Sequence, residues 1–404
     1  MSTINFIFIL LFLITMYVLY INGKKIKALP EGIRLKKYLK TAMPSIIIYT
    51  LNEGLRFGRG IDYNIYAKDF VYNTGNQYFE NGDLGFRYIG MLLQSLGMPF
   101  QAFVLLMSFI LILSVLIFIR NFKGCAPFAL PLFLFLFYTA TENLMRWFLG
   151  FSFILIGFSF IVQEKKSIKN YIYFTLFSLL SFFFHFAIVI IPIIYIVLIR
   201  FKRPLLKPVV SISLFVLIAL SFQTSIMLSL KEYLNVFSML SDKSTFYIDN
   251  AEQWLTGGAS GLVFSAFPEL YKTLLYIMEI ILGYKLCKHL DNKYIILYNI
   301  FLIGFVILPV ANQIELVLRY QYLIFIYQFI ILAYIIDYYL VSKRLQLNNI
   351  SYALVIIVFL YYSQRQIRMW AFEEPEYRHL YVWNSEGNDY LDLWSTYYKD
   401  MENK

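Results

Sequence analysis

A chain of 404 residues that is 60% hydrophobic and only 15% charged is a membrane protein, not a soluble domain. Its formal net charge of +10 does not indicate nucleic-acid binding. The Lys and Arg gather in short loops between apolar runs, where membrane orientation and anionic headgroups account for them.

A spanning helix needs about 20 apolar residues, and candidate spans fall at about 3–21, 41–55, 100–119, 126–141, 143–162, 170–185, 186–199, 208–228, 268–287, 294–311, 315–340 and 350–364. Leu, Phe and Ile dominate them without strand alternation, so the predicted fold is all-α, a polytopic protein of about 12 transmembrane helices. The first run has no basic segment before it and no small-residue cleavage site, and reads as an uncleaved span with its start outside. Every second connecting stretch is basic: Lys24, Lys25, Lys27; Arg120, Lys123; Lys165, Lys166, Lys169; Arg200, Lys202, Arg203; Lys285, Lys288; Lys343, Arg344. Short basic loops stay in the cytoplasm, which places both termini outside. Residues 84–98 form an amphipathic stretch too short to span, a re-entrant or interfacial helix. The expected organisation is a membrane domain over 1–364, with outside segments 56–99 and 229–267, and an aromatic, acidic outside tail over 365–404.

Several chemistries lack their residues. There is no Walker A pattern, and Gly58-Arg59-Gly60 has no strand before it to make a dinucleotide loop. No Asp-x-Asp pair stands ready to hold a metal on a nucleotide sugar, and no His/Cys cluster suits a metal. Cys125 and Cys287 fall at cytoplasmic ends of spans and make no disulfide framework. No cofactor is expected, and a donor would be carried in the lipid.

Three constellations remain on the outside. In Arg56-x-x-Arg59-Gly60-x-Asp62-Tyr63-x-x-Tyr66, two Arg three residues apart share a helical face and can fork onto phosphate oxygens, with Asp62 as orienter or base. The same residues also make an interfacial pair that snorkels to headgroups. Glu142-Asn143-x-x-Arg146 has the i, i+4 order of a helix ion pair, with Asn143 and Arg146 one turn into the membrane. Glu315-x-x-x-Arg319-Tyr320-x-Tyr322 repeats that spacing. Structural pairing explains each alone; four Arg at one face favour a shared anionic ligand. His185, after three Phe at the same depth, is either a packing residue or a proton carrier. His289 and His379 are expected to be structural, the tail Trp and Tyr to form an interfacial belt, and Glu279 is a lone mid-span charge without an account.

The order Gly-Arg-Gly-x-Asp-Tyr-x-x-Tyr at 58–66, Gly85-Phe86, Asn143-x-x-Arg146, His185 and Arg319-x-x-Tyr322 resembles the EpsG-like branch of the Wzy-type polysaccharide polymerases, over most of residues 40–330. The resemblance implies a GT-C-like, metal-independent glycosyltransferase of the bacterial cytoplasmic membrane with its site facing outside. It implies repeat units linked to undecaprenyl pyrophosphate as substrate, a chain-length regulator as further partner, and an O-antigen or exopolysaccharide product. Arg59, Arg146 and Arg319 would meet the pyrophosphate with Arg56 in support, and Asp62 or His185 would be the base. Tyr63, Tyr66, Glu142, Asn143, Glu315 and Tyr322 complete the expected binding set. An O-antigen ligase shares this carrier and Arg logic. A lipid-linked oligosaccharide flippase calls instead for charges through the membrane depth, and a membrane acyltransferase for a His reachable from the cytoplasm.

Overall fold

The computed structural model describes residues 1–60, 62–72, 84–163, 167–221, 267–312 and 315–384. Among them the chain is helical, with a single bridge pair, Arg56 with Tyr381, in extended backbone. The helices are α1 (Thr3–Lys27), α2 (Leu35–Gly54), α3 (Tyr63–Tyr72), α4 (Leu84–Ser95) and α5 (Phe100–Ile119). Next come α6 (Ala126–Asn143), α7 (Met145–Ile161), α8 (Ile168–Phe184), α9 (Ile190–Leu198) and α10 (Pro208–Ser221). The last are α11 (Leu270–Leu286), α12 (Asn292–Ala311), α13 (Glu315–Phe325), α14 (Gln328–Ile335) and α15 (Asn349–Arg368).

Each predicted span falls on helix among the described residues, the part of span 208–228 beyond Ser221 lying outside them. Among the described residues, five helical stretches are long and apolar enough to cross a membrane: Thr3–Lys27, Phe100–Asn143, Asn292–Ala311, Val317–Val341 and Asn349–Glu373. Their lipid-facing side is legible in exposed apolar side chains such as Phe6, Leu13, Phe109 and Leu360. The chain is a membrane protein. The expected segment 229–267 lies, but for Phe267, outside the described residues, as do Lys165, Lys166 and Trp394.

Helix α1 packs on α2 and α6, and α6 packs against α14 as well. A polar contact locks α1 to α2: Asn22 donates to the Thr41 carbonyl at 2.8 Å and accepts from Ser45 Oγ at 2.6 Å. Near the end of α1 the basic loops meet, Lys27 reaching Asp337 at 3.0 Å and Arg120 donating to the Ile33 carbonyl at 2.5 Å. At its start, Phe8 and Phe12 pack on Trp370 beside Tyr138. Trp370 is therefore a core residue at 1% exposure, not part of an interfacial belt.

Glu279 acquires a partner. Gln328, at the start of α14, donates to both of its carboxyl oxygens at 2.9 and 3.2 Å, satisfying it inside the core. The predicted span 315–340 is interrupted at this point, α13 ending at Phe325 and α14 starting at Gln328. The last helix runs beyond residue 364 to Arg368 and continues as a π-turn, Met369–Glu373.

Candidate functional site

The motif residues gather where the start of α1, the ends of α2 and α6 and the starts of α7 and α13 come together. Past α2 the chain turns through Gly58 and Gly60, both at positive φ (65° and 94°). Gly60 is needed for space as well. A Cβ there would stand 2.7 Å from the Glu142 carbonyl oxygen, so only glycine lets the loop lie on the end of α6.

That approach delivers Arg59 to Glu142. The Arg59 side chain is fully buried; its Nη2 lies 3.2 Å from Glu142 Oε1 and donates to the Asn52 carbonyl at 3.1 Å. The guanidinium plane covers the rings of Tyr381 at 4.7 Å and Phe8 at 5.3 Å. Burial works against its charge, but Glu142, Tyr381, Glu53 and Tyr138 together outweigh that and hold the Arg59 pKa above its ordinary value. Arg56 is buried too, donating from Nη1 to the Glu53 carbonyl at 3.0 Å and lying 3.9 Å from Glu53 Oε2. Glu53 and Arg56, with Tyr49, Ser108 and Thr141, line a cavity of about 10 Å³, room for one water.

The expected i, i+4 pair of Glu142 with Arg146 is replaced by this arrangement. Leu144 adopts φ −99° and ψ 49°, which ends α6 and starts α7, so the two residues do not share one continuous helix. Glu142 turns to Arg59, and Arg146 turns to α3. Its Nε donates to the Tyr66 hydroxyl at 2.9 Å, and that hydroxyl lies 3.4 Å from Asp62 Oδ2. Asn143 Oδ1 accepts from the Asp62 amide at 3.4 Å. Burial raises the Tyr66 pKa; the charges of Arg146 and Arg319 oppose the rise and that of Asp62 adds to it. Arg319 therefore acts electrostatically on the same hydroxyl as Arg146. Asp62, Asn143, Arg146 and Arg319 are half-buried, whereas Arg56, Arg59 and Glu142 are closed off.

His185 joins through Trp147. Its ring stands edge-on to Trp147 at 4.6 Å, and Trp147 stands edge-on to Tyr320 at 5.1 Å, whose hydroxyl donates to the Ala187 carbonyl at 2.7 Å. Tyr63 is a strut, its hydroxyl donating to Gln101 Oε1 at 3.1 Å while Gln101 holds the Gly54 and Arg56 carbonyls. Tyr322 is half-buried and packs at the edge of the apolar core. The Glu315 side chain lies outside the described residues.

Sequence reasoning passed over Asn52, Glu53, Gln101 and Tyr381. Glu53 carried a signal, an acid three residues before Arg56 at the end of an apolar run. His379, expected to be merely structural, stacks on Phe8 at 4.2 Å and pairs through Nδ1 with Asn5 Oδ1 at 2.8 Å, next to Arg59.

A family model described as the EpsG family matches residues 39–372, a stretch that contains every one of the arginine motifs. The chain belongs to the EpsG family. EpsG-like proteins are Wzy-type polymerases, so the resemblance in motif order reflects membership. No curated protein and no solved structure matches the chain. Within this EpsG-family chain the motifs divide into a closed layer, Arg56, Arg59, Glu53 and Glu142, and a more open layer, Asp62, Arg146 and Arg319, around the buried Tyr66.

Proposed function

We propose that the protein joins oligosaccharide repeat units carried on undecaprenyl pyrophosphate into a surface polysaccharide, at the outer face of the bacterial cytoplasmic membrane, and that the half-buried layer is its active site. The observation that carries this reading is Tyr66 held between Arg146 and Asp62, with the charge of Arg319 acting on the same hydroxyl. Cations and an acid around one hydroxyl suit a reaction that builds negative charge on a leaving group while removing a proton from an alcohol.

In this mechanism the acceptor sugar hydroxyl loses its proton to Asp62 and its oxygen attacks the anomeric carbon of the donor. The bond from that carbon to the pyrophosphate oxygen breaks, and the charge left on the pyrophosphate is met by Arg146 and Arg319. Asp62 is favoured over His185 as base because Asp62 adjoins the arginine-bound tyrosine, whereas the His185 ring packs on Trp147. Arg59 and Arg56 serve from beneath, fixing Glu142 and Glu53 and with them the loop that carries Asp62. Glu142, Asn143 and Tyr63 hold the loop and α3; Tyr322 and Glu315 flank Arg319 on α13. A chain-length regulator in the membrane would act on the same product.

The test is the surface-glycan ladder of cells carrying Arg146→Ala or Arg319→Ala at normal protein levels. Collapse of the ladder to single repeat units is expected, since one lost transition-state donor costs about 10²–10³ in rate. A full ladder from either variant removes that arginine from the chemistry. Loss of every glycan-bearing band, with lipid-linked units accumulating, points instead to an O-antigen ligase or a flippase.

A further inference from the structure

We infer that Tyr381, on the segment that follows the last helix, is a positioning residue for the Asp62–Arg146 layer, acting through the loop of residues 55–60. The inference rests on the active site proposed above. After the π-turn the chain folds back, and residues 380–382 lie antiparallel to residues 55–57. Phe57 donates its amide to the Leu380 carbonyl at 3.0 Å, Val382 donates to the Leu55 carbonyl at 3.0 Å, and Arg56 and Tyr381 form the bridge pair between them. The loop that turns at Gly58 and Gly60 is therefore half of a two-stranded pairing whose other half lies more than 300 positions away.

The Tyr381 side chain adds the contacts that give this pairing a direction. Its hydroxyl donates to Asn52 Oδ1 at 2.9 Å, and the Asn52 amide in turn donates to Glu53 Oε1 at 2.7 Å. Its ring lies under the Arg59 guanidinium and stacks with Trp383 at 4.7 Å, 7° from parallel. Burial raises the hydroxyl pKa to about 12, so it stays a neutral donor. Tyr381 is 1% exposed and its hydroxyl is engaged, which suits support rather than contact with substrate.

Each contact fixes Arg59 or its anchor, and Arg59 fixes Glu142. Three residues after Arg59, the Asp62 amide is held by Asn143, the neighbour of Glu142. A shift of the strap thus reaches Asp62 along a short covalent and hydrogen-bonded path. The ring and the paired backbone are the larger part of this support, and the hydroxyl the smaller.

The experiment measures turnover of full-length variants in membranes, using lipid-linked repeat units extracted from the host strain as the probe. Tyr381→Ala is expected to lower kcat roughly 10- to 100-fold with KM within about twofold of the parent, as misplacement of a reacting group does. Tyr381→Phe keeps the ring under Arg59 and is expected to stay within about threefold of the parent. Val382→Pro removes the amide that bonds the Leu55 carbonyl without touching the ring, at the first position of a short helical turn where proline fits, and is expected to reproduce the kcat loss. It carries the test if Tyr381→Ala does not accumulate.

Native turnover in Tyr381→Ala or Val382→Pro at normal protein levels overturns the assignment, as does a loss confined to KM. An equal loss in Tyr381→Phe also overturns it, placing the hydroxyl rather than the ring in charge. Arg146→Ala separates the two levels of the argument. If Arg146→Ala loses polymer and Tyr381→Ala does not, only the role of the strap fails. If Arg146→Ala keeps polymer, the active-site reading fails whatever Tyr381 does.

Discussion

Replacing Gly60 with alanine tests whether close approach of the arginine loop to α6 is what activity requires. Gly60 sits at φ 94°, and holding a non-glycine residue in such a region costs about 1–3 kcal/mol. The added Cβ would meet the Glu142 carbonyl oxygen at 2.7 Å and the Glu142 carbonyl carbon at 3.0 Å, both backbone atoms of a packed helix end that cannot swing aside. Relief to an ordinary contact distance moves the loop away by about 0.7–1 Å. The Asp62 amide is already 3.4 Å from Asn143 Oδ1, and Arg59 is 3.2 Å from Glu142, so both contacts lengthen past useful range. Misplacement by about 1 Å can cost 10²-fold in rate. Gly97→Ala is the matched control: its φ is 66°, but nothing lies within 4 Å of a Cβ there, leaving only the left-handed cost of about 1–2 kcal/mol. Ladder length in cells and turnover in membranes are the readouts, with melting of the purified protein alongside. Gly60→Ala should lose most polymer and Gly97→Ala almost none. Equal behaviour of the two would refute the reasoning.

Other outcomes are equally specific. Arg59→Met should strand the buried Glu142 carboxylate and destabilise the protein by about 3–5 kcal/mol, while the double variant Arg59→Met/Glu142→Leu recovers most of it, as denaturation of the purified protein would report. Tyr66→Phe removes the hydroxyl between Arg146 and Asp62 and should slow turnover about tenfold with the protein fully stable, measured in membranes with lipid-linked units. Burial, and then the charges of Arg59 and Arg378, depress the His379 pKa from 6.5 to about 3. A depressed histidine favours the fold above its unfolded pKa, and that contribution is lost as pH falls from 6.5 toward 3; melting temperature should drop between about pH 7 and pH 5 more steeply in the parent than in His379→Phe. EDTA should leave polymer formation unchanged, since arginine supplies the charge that a metal otherwise would; restoration by an added divalent ion would count against the mechanism.

The helices were legible because apolar runs of spanning length allow no other backbone, and among the described residues each predicted span falls on one. The arginine motifs were legible because charges are costly near lipid and stand out. What stayed hidden were partners. The spacing of Glu142 and Arg146 pointed to a pair within one helix, and nothing in the residues announced that Leu144 would end it. Glu142 and Arg59 are 83 positions apart, and only packing brings them together. Glu279 looked unexplained for the same reason, its Gln328 lying on another helix. Tyr381 and Trp370 were hidden by their type, since an aromatic residue near a membrane end predicts a headgroup belt as readily as a core.

The meeting of Asn5 and Phe8 with His379, and of Arg59 with Tyr381, bears on how the protein is made. Asn5 and His379 are 374 positions apart, about the longest loop this chain can close. A chain inserted helix by helix as it is synthesised has its first helix and its arginine loop in place long before their last neighbours exist. Until α15 and the strap arrive, Arg59 has no Tyr381 ring against its guanidinium. The arginine layer is therefore completed only at the end of biogenesis, and a ribosome that stops short of residue 381 leaves an inserted bundle without Tyr381 against Arg59.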